Sequence, residues 1–387
     1  MRRLMALVLL LSLGLGGFVL AQSPPTGPNL APGAKAAVLM DAATGQILYE
    51  KNANQPLPPA SMTKLMTLVL AVRALDQGTV TRSQMVSISE GAYQMGGSQI
   101  WLEPGEQISF GDLLNAVGVA SANDAAVAIG EYLAGSEENF VRQMNQTAGS
   151  LGMKNTTFIN PHGLDAQGHL TTALDMAILG RYAVGLPGLL QLTRQWETKE
   201  IRDGKGGKLW LVNPNRLLRT YRGADGLKTG FTSAAGYCLI GTASRDGLRL
   251  VAVVMGEPSA KERNAEATGM FNYGFANFKT LTLAGKGQGF GTVRVVRGHP
   301  DKVAAVAATA VAVLVKRTGG KPGIQVQLPA SVQAPVEVGQ VLGSVAVRLD
   351  GRKVAGIPLV AANGSRRLNL LTAWLATFRW IAGNFPF

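Results

Sequence analysis

Cysteine is nearly absent from this 387-residue chain: Cys238 stands alone, so no intrachain disulfide framework can hold it together. Histidine is almost as scarce. His162, His169 and His299 form no His-Glu-x-x-His pattern and, with one cysteine, no zinc-type ligand spacing, so no metal and no cofactor is expected. Charged residues make up only 16% of the chain against 47% hydrophobic, which excludes a disordered polyelectrolyte and leaves ample material for a core. No Gly-x-Ser-x-Gly elbow is present, which argues against the usual Ser/His/Asp hydrolase. His162, within Asn160-Pro-His-Gly-Leu164, reads as a residue that fixes a turn rather than a base. Cys238, on a predicted apolar strand, reads as packing rather than a nucleophile.

Acidic residues are also in deficit, 24 against 37 Lys and Arg, for a formal charge of +13. No RNP-like aromatic and basic stretch or zinc finger accompanies the excess, so nucleic acid is not an expected partner. The N-terminus points elsewhere. Met1-Arg2-Arg3 precedes an apolar run from Leu4 to Leu20 that stops at the small residue Ala21. This is a secretory signal pattern with cleavage near Ala21, an uncleaved anchor being the alternative. Residues 1–21 are thus expected to be a signal peptide and 22–34, rich in Pro, Gly and Asn, a flexible lead-in. For an exported basic protein, anionic lipid or an anionic wall polymer is the expected attraction, a diffusely basic, solvated surface with no specific partner being the alternative.

The pattern along the chain then predicts short strands at Ala36–Met40 and Gln46–Tyr49 around a turn at Asp41–Gly45. A buried helix is predicted over Ser61–Leu75, apolar on most faces yet too short and punctuated to span a bilayer. Helices follow from Ser109 to about Val117, from Asn123 or Asp124 to about Leu133, and over 137–151 and 171–183. Strands at Gly236–Thr242 and Leu248–Met255 flank the turn Arg245-Asp246-Gly247, and Lys261–Phe278 returns to helix. Residues 279–362, rich in Val, Gly, Thr and Ala with many short alternating runs, read as a separate β domain, with Asp350-Gly351 a hairpin signal. In the last 22 residues, Leu368, Leu370, Leu371, Trp374, Leu375, Phe378 and Ile381 fall in one arc of roughly 160° at helical spacing. Residues 363–387 are therefore expected to form an amphipathic helix lying in a membrane interface; docking on the β domain is the competing expectation.

Three short motifs carry chemistry. Ser61-Met62-Thr63-Lys64 sets a hydroxyl and an amine at i and i+3 on one helical face. Ser61 lies at the helix start, where backbone N–H groups favour developing negative charge. Lys64 can activate that hydroxyl only when unprotonated, and burial with a second nearby cation drives a lysine that way. Ser121-Ala122-Asn123 sits at a break between helices, where Ser121 could shuttle a proton and Asn123 could hold a peptide-like group, although the motif taken alone reads first as a helix cap. Lys228-Thr229-Gly230 opens a strand: Lys228 supplies the second cation, Thr229 can bond a carboxylate, and Gly230 lets a substrate backbone approach. The N–H groups of Ser61 and Phe231 could form an oxyanion hole. Each motif alone is common; the three in this order are specific.

With Pro59-Ala-Ser-Met-Thr-Lys-Leu65, Gly226-Leu-Lys-Thr-Gly-Phe-Thr232, Asn160-Pro-His-Gly-Leu164 and Pro335-Val-Glu-Val-Gly-Gln-Val-Leu-Gly343, the chain resembles the serine D-alanyl-D-alanine carboxypeptidases, the low-molecular-weight penicillin-binding proteins. The resemblance runs from about residue 35 to the C-terminus. It implies an α/β (α+β) catalytic domain of the β-lactamase/transpeptidase-like type at 35–278, an antiparallel sheet flanked by helices, followed by the small all-β domain at 279–362 and the terminal helix. It implies that Ser61 is acylated, that Lys64 is its base, that Ser121 and Asn123 serve proton transfer and positioning, and that Lys228 and Thr229 bind and polarise. Arg263 resembles the arginine that meets the substrate's terminal carboxylate in this family. The implied partners are pentapeptide stems of peptidoglycan and β-lactams, and the implied location is the outer face of the cytoplasmic membrane.

The chain departs from the family at two points. Ala122 stands where the nearest members carry glycine, and Phe231 where many have histidine, which bears on pH dependence and deacylation. A class A β-lactamase shares the trio but needs a deacylating glutamate between the second and third motifs, and no Glu occurs between Asn139 and Trp196. A D,D-endopeptidase and a non-catalytic scaffold that keeps the fold are the remaining alternatives.

Overall fold

Strand β1 (Ala36–Asp41) leads into β2 (Ile47–Lys51) through a turn in which the Asp41 carboxylate accepts from the Thr44 backbone N–H and hydroxyl at 2.8 and 2.5 Å. The computed structural model describes residues 28–202, 207–368 and 374. All six residues of β1 are buried, because the strand is interior to a five-stranded antiparallel sheet. Its other members are β3 (Ala224–Thr232), β4 (Gly236–Arg245) and β5 (Leu248–Glu257), in the order β2-β1-β5-β4-β3. The strands read as nearly continuous apolar runs because both faces are covered. Val38, Met40 and Val253 face one side and Leu39, Ala252 and Val254 the other, as the two-residue period requires.

Helices cover each face. On the first pack α1 (Lys64–Asp76), α2 (Phe110–Asn115), α3 (Asn123–Ala134), α4 (Glu137–Leu151) and α5 (Ala173–Val184). Hydroxyl caps start three of them: Ser109 accepts from Asp112 N–H, Ser136 from Asn139 N–H and Thr172 from Asp175 N–H. On the second face lie α6 (Leu217–Thr220) and the long α7 (Ala260–Asn277), whose Met270, Phe271 and Phe275 meet Leu39, Leu250 and Val254.

The structure differs locally from the sequence pattern. The segment expected to be helical from Ser61 begins as a 3-10 turn, Ala60–Thr63, and becomes α-helical at Lys64. Lys228-Thr229-Gly230 lies in the middle of β3 rather than at its opening. Pairing with β4 carries the strand back through a bulge at Asp225 to Ala224. Two short antiparallel pairs, Met85–Ser87 with Gln107–Ser109 and Glu197–Arg202 with Lys208–Val212, carry no periodic signal of their own.

From Phe278 the chain is β structure. β6 (Phe278–Ala284) pairs with β9 (Val311–Lys316). A six-stranded sheet contains β7 (Gly289–Val296), β8 (Lys302–Ala307), β10 (Gly323–Gln327), β11 (Ser331–Gln333), β12 (Val341–Leu349) and β13 (Arg352–Ala361), in the order β10-β12-β13-β8-β7-β11. Asp350-Gly351 makes the β12–β13 hairpin. This unit buries its own core of Val293, Val303, Val313, Val345 and Leu359, while Phe278 and Leu314 reach into the core of the first unit. The expected signal segment 1–21, most of the expected 22–34 lead-in and, Trp374 aside, the part of the expected terminal helix beyond residue 368 lie outside the described residues. No described helix is long and apolar enough to cross a membrane.

Candidate active site

The 3-10 turn and α1 bring Ser61 and Lys64 together by local geometry alone. Lys64 Nζ lies 2.9 Å from Ser61 Oγ and donates to the His162 carbonyl at 2.5 Å. Lys64 is fully buried, and that burial, reinforced by the charge of Lys228 and opposed by Asp124, drives its amine well below the usual lysine range. A neutral amine with one N–H committed to a carbonyl turns its lone pair to the hydroxyl, which is the state a base needs.

The second cation arrives from β3. Lys228 Nζ donates to Ser121 Oγ at 2.7 Å and to the Thr229 carbonyl at 3.1 Å. Burial, then the nearby Arg263, pushes Lys228 down to about 7, so its charge changes near neutrality. Ser121 ends an irregular π turn, Ala116–Ala120, with φ of +64°, a left-handed conformation that serine adopts at a cost of about 1–3 kcal/mol. The strained turn aims its hydroxyl at Lys228.

These groups meet at a cleft of about 630 Å³ between the edge strand β3, the turn that bears Ser61 and the start of α7. Ser61, Ser121, Thr229, Gly230, Phe231 and Arg263 line it; Lys64 and Lys228 are buried beneath. Arg263 is 4% exposed, its Nε and Nη2 both donating to Asn264 Oδ1 at 3.1 and 3.0 Å. Phe231 is 52% exposed and stacks on Tyr237 with ring centroids 4.3 Å apart. Asn123 stands behind the cleft: its Nδ2 donates to the Gly96 carbonyl at 2.5 Å and its N–H to the Ser98 carbonyl at 2.7 Å. Gly230 has a role the sequence did not disclose. A Cβ there would meet Ala60 Cβ at 3.0 Å, Ser61 N at 3.0 Å and Met62 N at 3.1 Å, so its bare backbone admits the turn that bears Ser61.

The turns packed around Lys64 hold it in place. The segment 160–164 is closed by Asn160, whose Oδ1 accepts from Gly163 N–H at 2.6 Å and whose Nδ2 donates to Leu164 O at 2.9 Å. Gly163, at φ +91°, lies so close to the Ala60 carbonyl that a Cβ would fall 2.0 Å from that oxygen. The Thr67 hydroxyl donates to the Pro161 carbonyl at 2.7 Å. His162 thus contributes its backbone carbonyl, and burial holds its ring neutral, down at about 3. His169 Nδ1 accepts from Ile159 N–H at 3.0 Å, which leaves Nε2–H to donate to Thr63 Oγ1 at 2.8 Å. Buried Asp124 accepts from Ile100 and Leu102 N–H groups and fixes the loop that carries Ser98. Ser98, Arg216, Tyr237 and Asn264 also line the cleft and were not legible in sequence, since each lies in a segment with no motif of its own.

A family profile described as D-alanyl-D-alanine carboxypeptidase matches residues 21–259, and one described as the penicillin-binding protein 5 C-terminal domain matches residues 278–365. The chain is 39% identical over 346 residues to the D-alanyl-D-alanine carboxypeptidase DacF of Bacillus subtilis, covering 89% of each chain. Its structure is similar to penicillin-binding protein 5 of Haemophilus influenzae, at a TM-score of 0.75 and 34% identity, over 88% of this chain and 99% of that one. It is also similar to penicillin-binding protein D2 of Listeria monocytogenes in an ampicillin-bound form, at a TM-score of 0.58 and 34% identity, over 64% of this chain and 100% of that one.

Proposed function

The chain belongs to the D-alanyl-D-alanine carboxypeptidase family, and from that premise we propose how its cleft hydrolyses the terminal D-Ala-D-Ala bond of peptidoglycan stem peptides. One observation carries the reading: a buried lysine amine, driven toward neutrality, lies 2.9 Å from a cleft-lining serine hydroxyl. Ser61 Oγ attacks the penultimate carbonyl carbon as Lys64 takes its proton. The N–H groups of Ser61 and Phe231 receive the developing oxyanion, each such donor being worth about 2.7–4 kcal/mol in comparable sites. The C–N bond breaks, and the departing D-alanine amine takes a proton through the Ser121 hydroxyl, backed by Lys228. Water then releases the acyl group from Ser61. Arg263 and Thr229 hold the terminal carboxylate, and Asn123 acts through the 96–98 segment it fastens to α3.

β-Lactams enter the same proposal as acylating inhibitors of Ser61. We further propose export through the Met1–Ala21 segment and peripheral attachment to the outer face of the cytoplasmic membrane through the terminal amphipathic stretch. Deleting residues 366–387 is expected to release the protein from membranes with activity intact; retained binding refutes the anchor. The reaction itself is tested by D-alanine release from diacetyl-Lys-D-Ala-D-Ala, beside Ser61→Ala. Release that vanishes in the variant supports Ser61 as the nucleophile. Release that survives overturns that assignment.

A further inference from the structure

We propose that the cleft at the junction of the two units, remote in its lining from the active cleft, is a binding site for a phosphate-bearing anion. It has a volume of about 810 Å³ and shares no lining residue with the cleft around Ser61. Arg222, Arg245, Lys279 and Arg317 line it against a single carboxylate, Asp246, a formal excess of three positive charges. The four cations come from segments far apart in the chain: the stretch before β3, the end of β4, β6, and the residue after β9. Only the docking of the β unit on the catalytic unit assembles them.

Phe275 organises two of the guanidinium groups. Arg245 lies 4.7 Å over its ring and 4.3 Å over that of Tyr221, while Arg317 Nε donates to the Phe275 carbonyl at 3.0 Å. Arg245 Nε in turn donates to the Arg222 carbonyl at 2.9 Å. Each guanidinium is thus anchored through Nε, and its Nη groups have no acceptor among the described residues. Asp246 makes no ion pair with any of the four among those residues. Like charges gathered without a counter-ion repel, and a bound anion removes that cost. Guanidinium forks match phosphate oxygens two at a time. Ser244 and Thr280 add hydroxyls to the wall. An excess of three charges suits a repeating or multiply charged phosphate ester better than one peptide carboxylate. An anionic wall polymer and an anionic lipid headgroup share that chemistry.

The test uses the purified full chain, titrated with a glycerol-phosphate oligomer and, separately, with phosphatidylcholine vesicles containing one-third phosphatidylglycerol. Arg222 and Lys279 make no side-chain hydrogen bond among the described residues, so the double variant Arg222→Gln/Lys279→Gln leaves the fold undisturbed. It is compared with the control pair Lys286→Gln/Lys302→Gln, two exposed cations outside the cleft. A tenfold or greater loss confined to the first variant, with penicillin labelling of Ser61 unchanged, is expected. Loss for the oligomer identifies a wall phosphate; loss for the vesicles, over and above the binding by the terminal stretch that every variant keeps, identifies a headgroup. Absence of saturable binding, or equal losses in the two variants, overturns the proposal.

Discussion

Gly230→Ala tests how Ser61 is positioned. The added Cβ would stand 3.0 Å from Ala60 Cβ and Ser61 N and 3.1 Å from Met62 N, about 0.4 Å inside an ordinary contact of 3.4 Å. Two of the three atoms are backbone, so no side chain can swing aside, and the turn bearing Ser61 must shift as a unit. A misplacement of about 1 Å costs on the order of 100-fold in rate. A shift of about 0.4 Å therefore predicts a fall of about sixfold, or about 1 kcal/mol in the barrier. Stability should drop by about 1–3 kcal/mol, the usual effect of overpacking, with unfolding still cooperative. The assay is the second-order rate of Ser61 acylation by a fluorescent penicillin, run beside kcat/KM for D-alanine release. A slower acylation and a slower peptide reaction, reduced together, are expected. Acylation within twofold of the parent, with only the peptide KM raised, would refute the reasoning and restore substrate approach as the reason for the glycine.

Further outcomes follow from the same geometry. Lys228→Gln removes a charge that helps keep Lys64 unprotonated, so the acid limb of the acylation–pH profile should move to higher pH; an unmoved limb assigns the depression of Lys64 to burial alone. Arg263→Gln should lower kcat/KM for a free-carboxylate peptide by roughly 30-fold, about 2 kcal/mol for a charged hydrogen bond, while a peptide amidated at its C-terminus shows no such difference. His169 is held down at about 4 against an ordinary 6.5, so the folded state binds fewer protons than the unfolded one in that window. Its contribution to stability is present above pH 6.5 and is lost as pH falls toward 4, at about 1.4 kcal/mol per unit. Denaturant titrations of the parent and His169→Gln should therefore converge as pH falls through that window; parallel curves count against a neutral buried ring.

Much of the site was legible because its signals are local. A serine and a lysine three residues apart at a helix start meet whatever the rest of the chain does, and the 2.9 Å contact is the consequence. Helix α4 matches its expected 137–151 span because a serine cap, an acidic first turn and a C-terminal glycine mark both ends. The hairpin turns at Asp246-Gly247 and Asp350-Gly351 were equally plain. The Asn160–Leu164 turn was visible as a turn, but not as the support that hands a backbone carbonyl to Lys64, since backbone acceptors leave no mark in side-chain identity.

What the amino-acid sequence determined by itself was the set of candidate groups for the site, the apolar periods that bury them and the residue types able to start and stop each element. Tertiary structure alone decided that Lys228 lies beneath Ser121, that Arg263 is buried at the cleft rather than solvated on a helix, and that Gly230 faces the turn that bears Ser61. The reason is physical. Proton affinities depend on desolvation and on charges a few ångströms away, and those surroundings come from segments more than a hundred residues apart that meet only when the sheet closes on its helices.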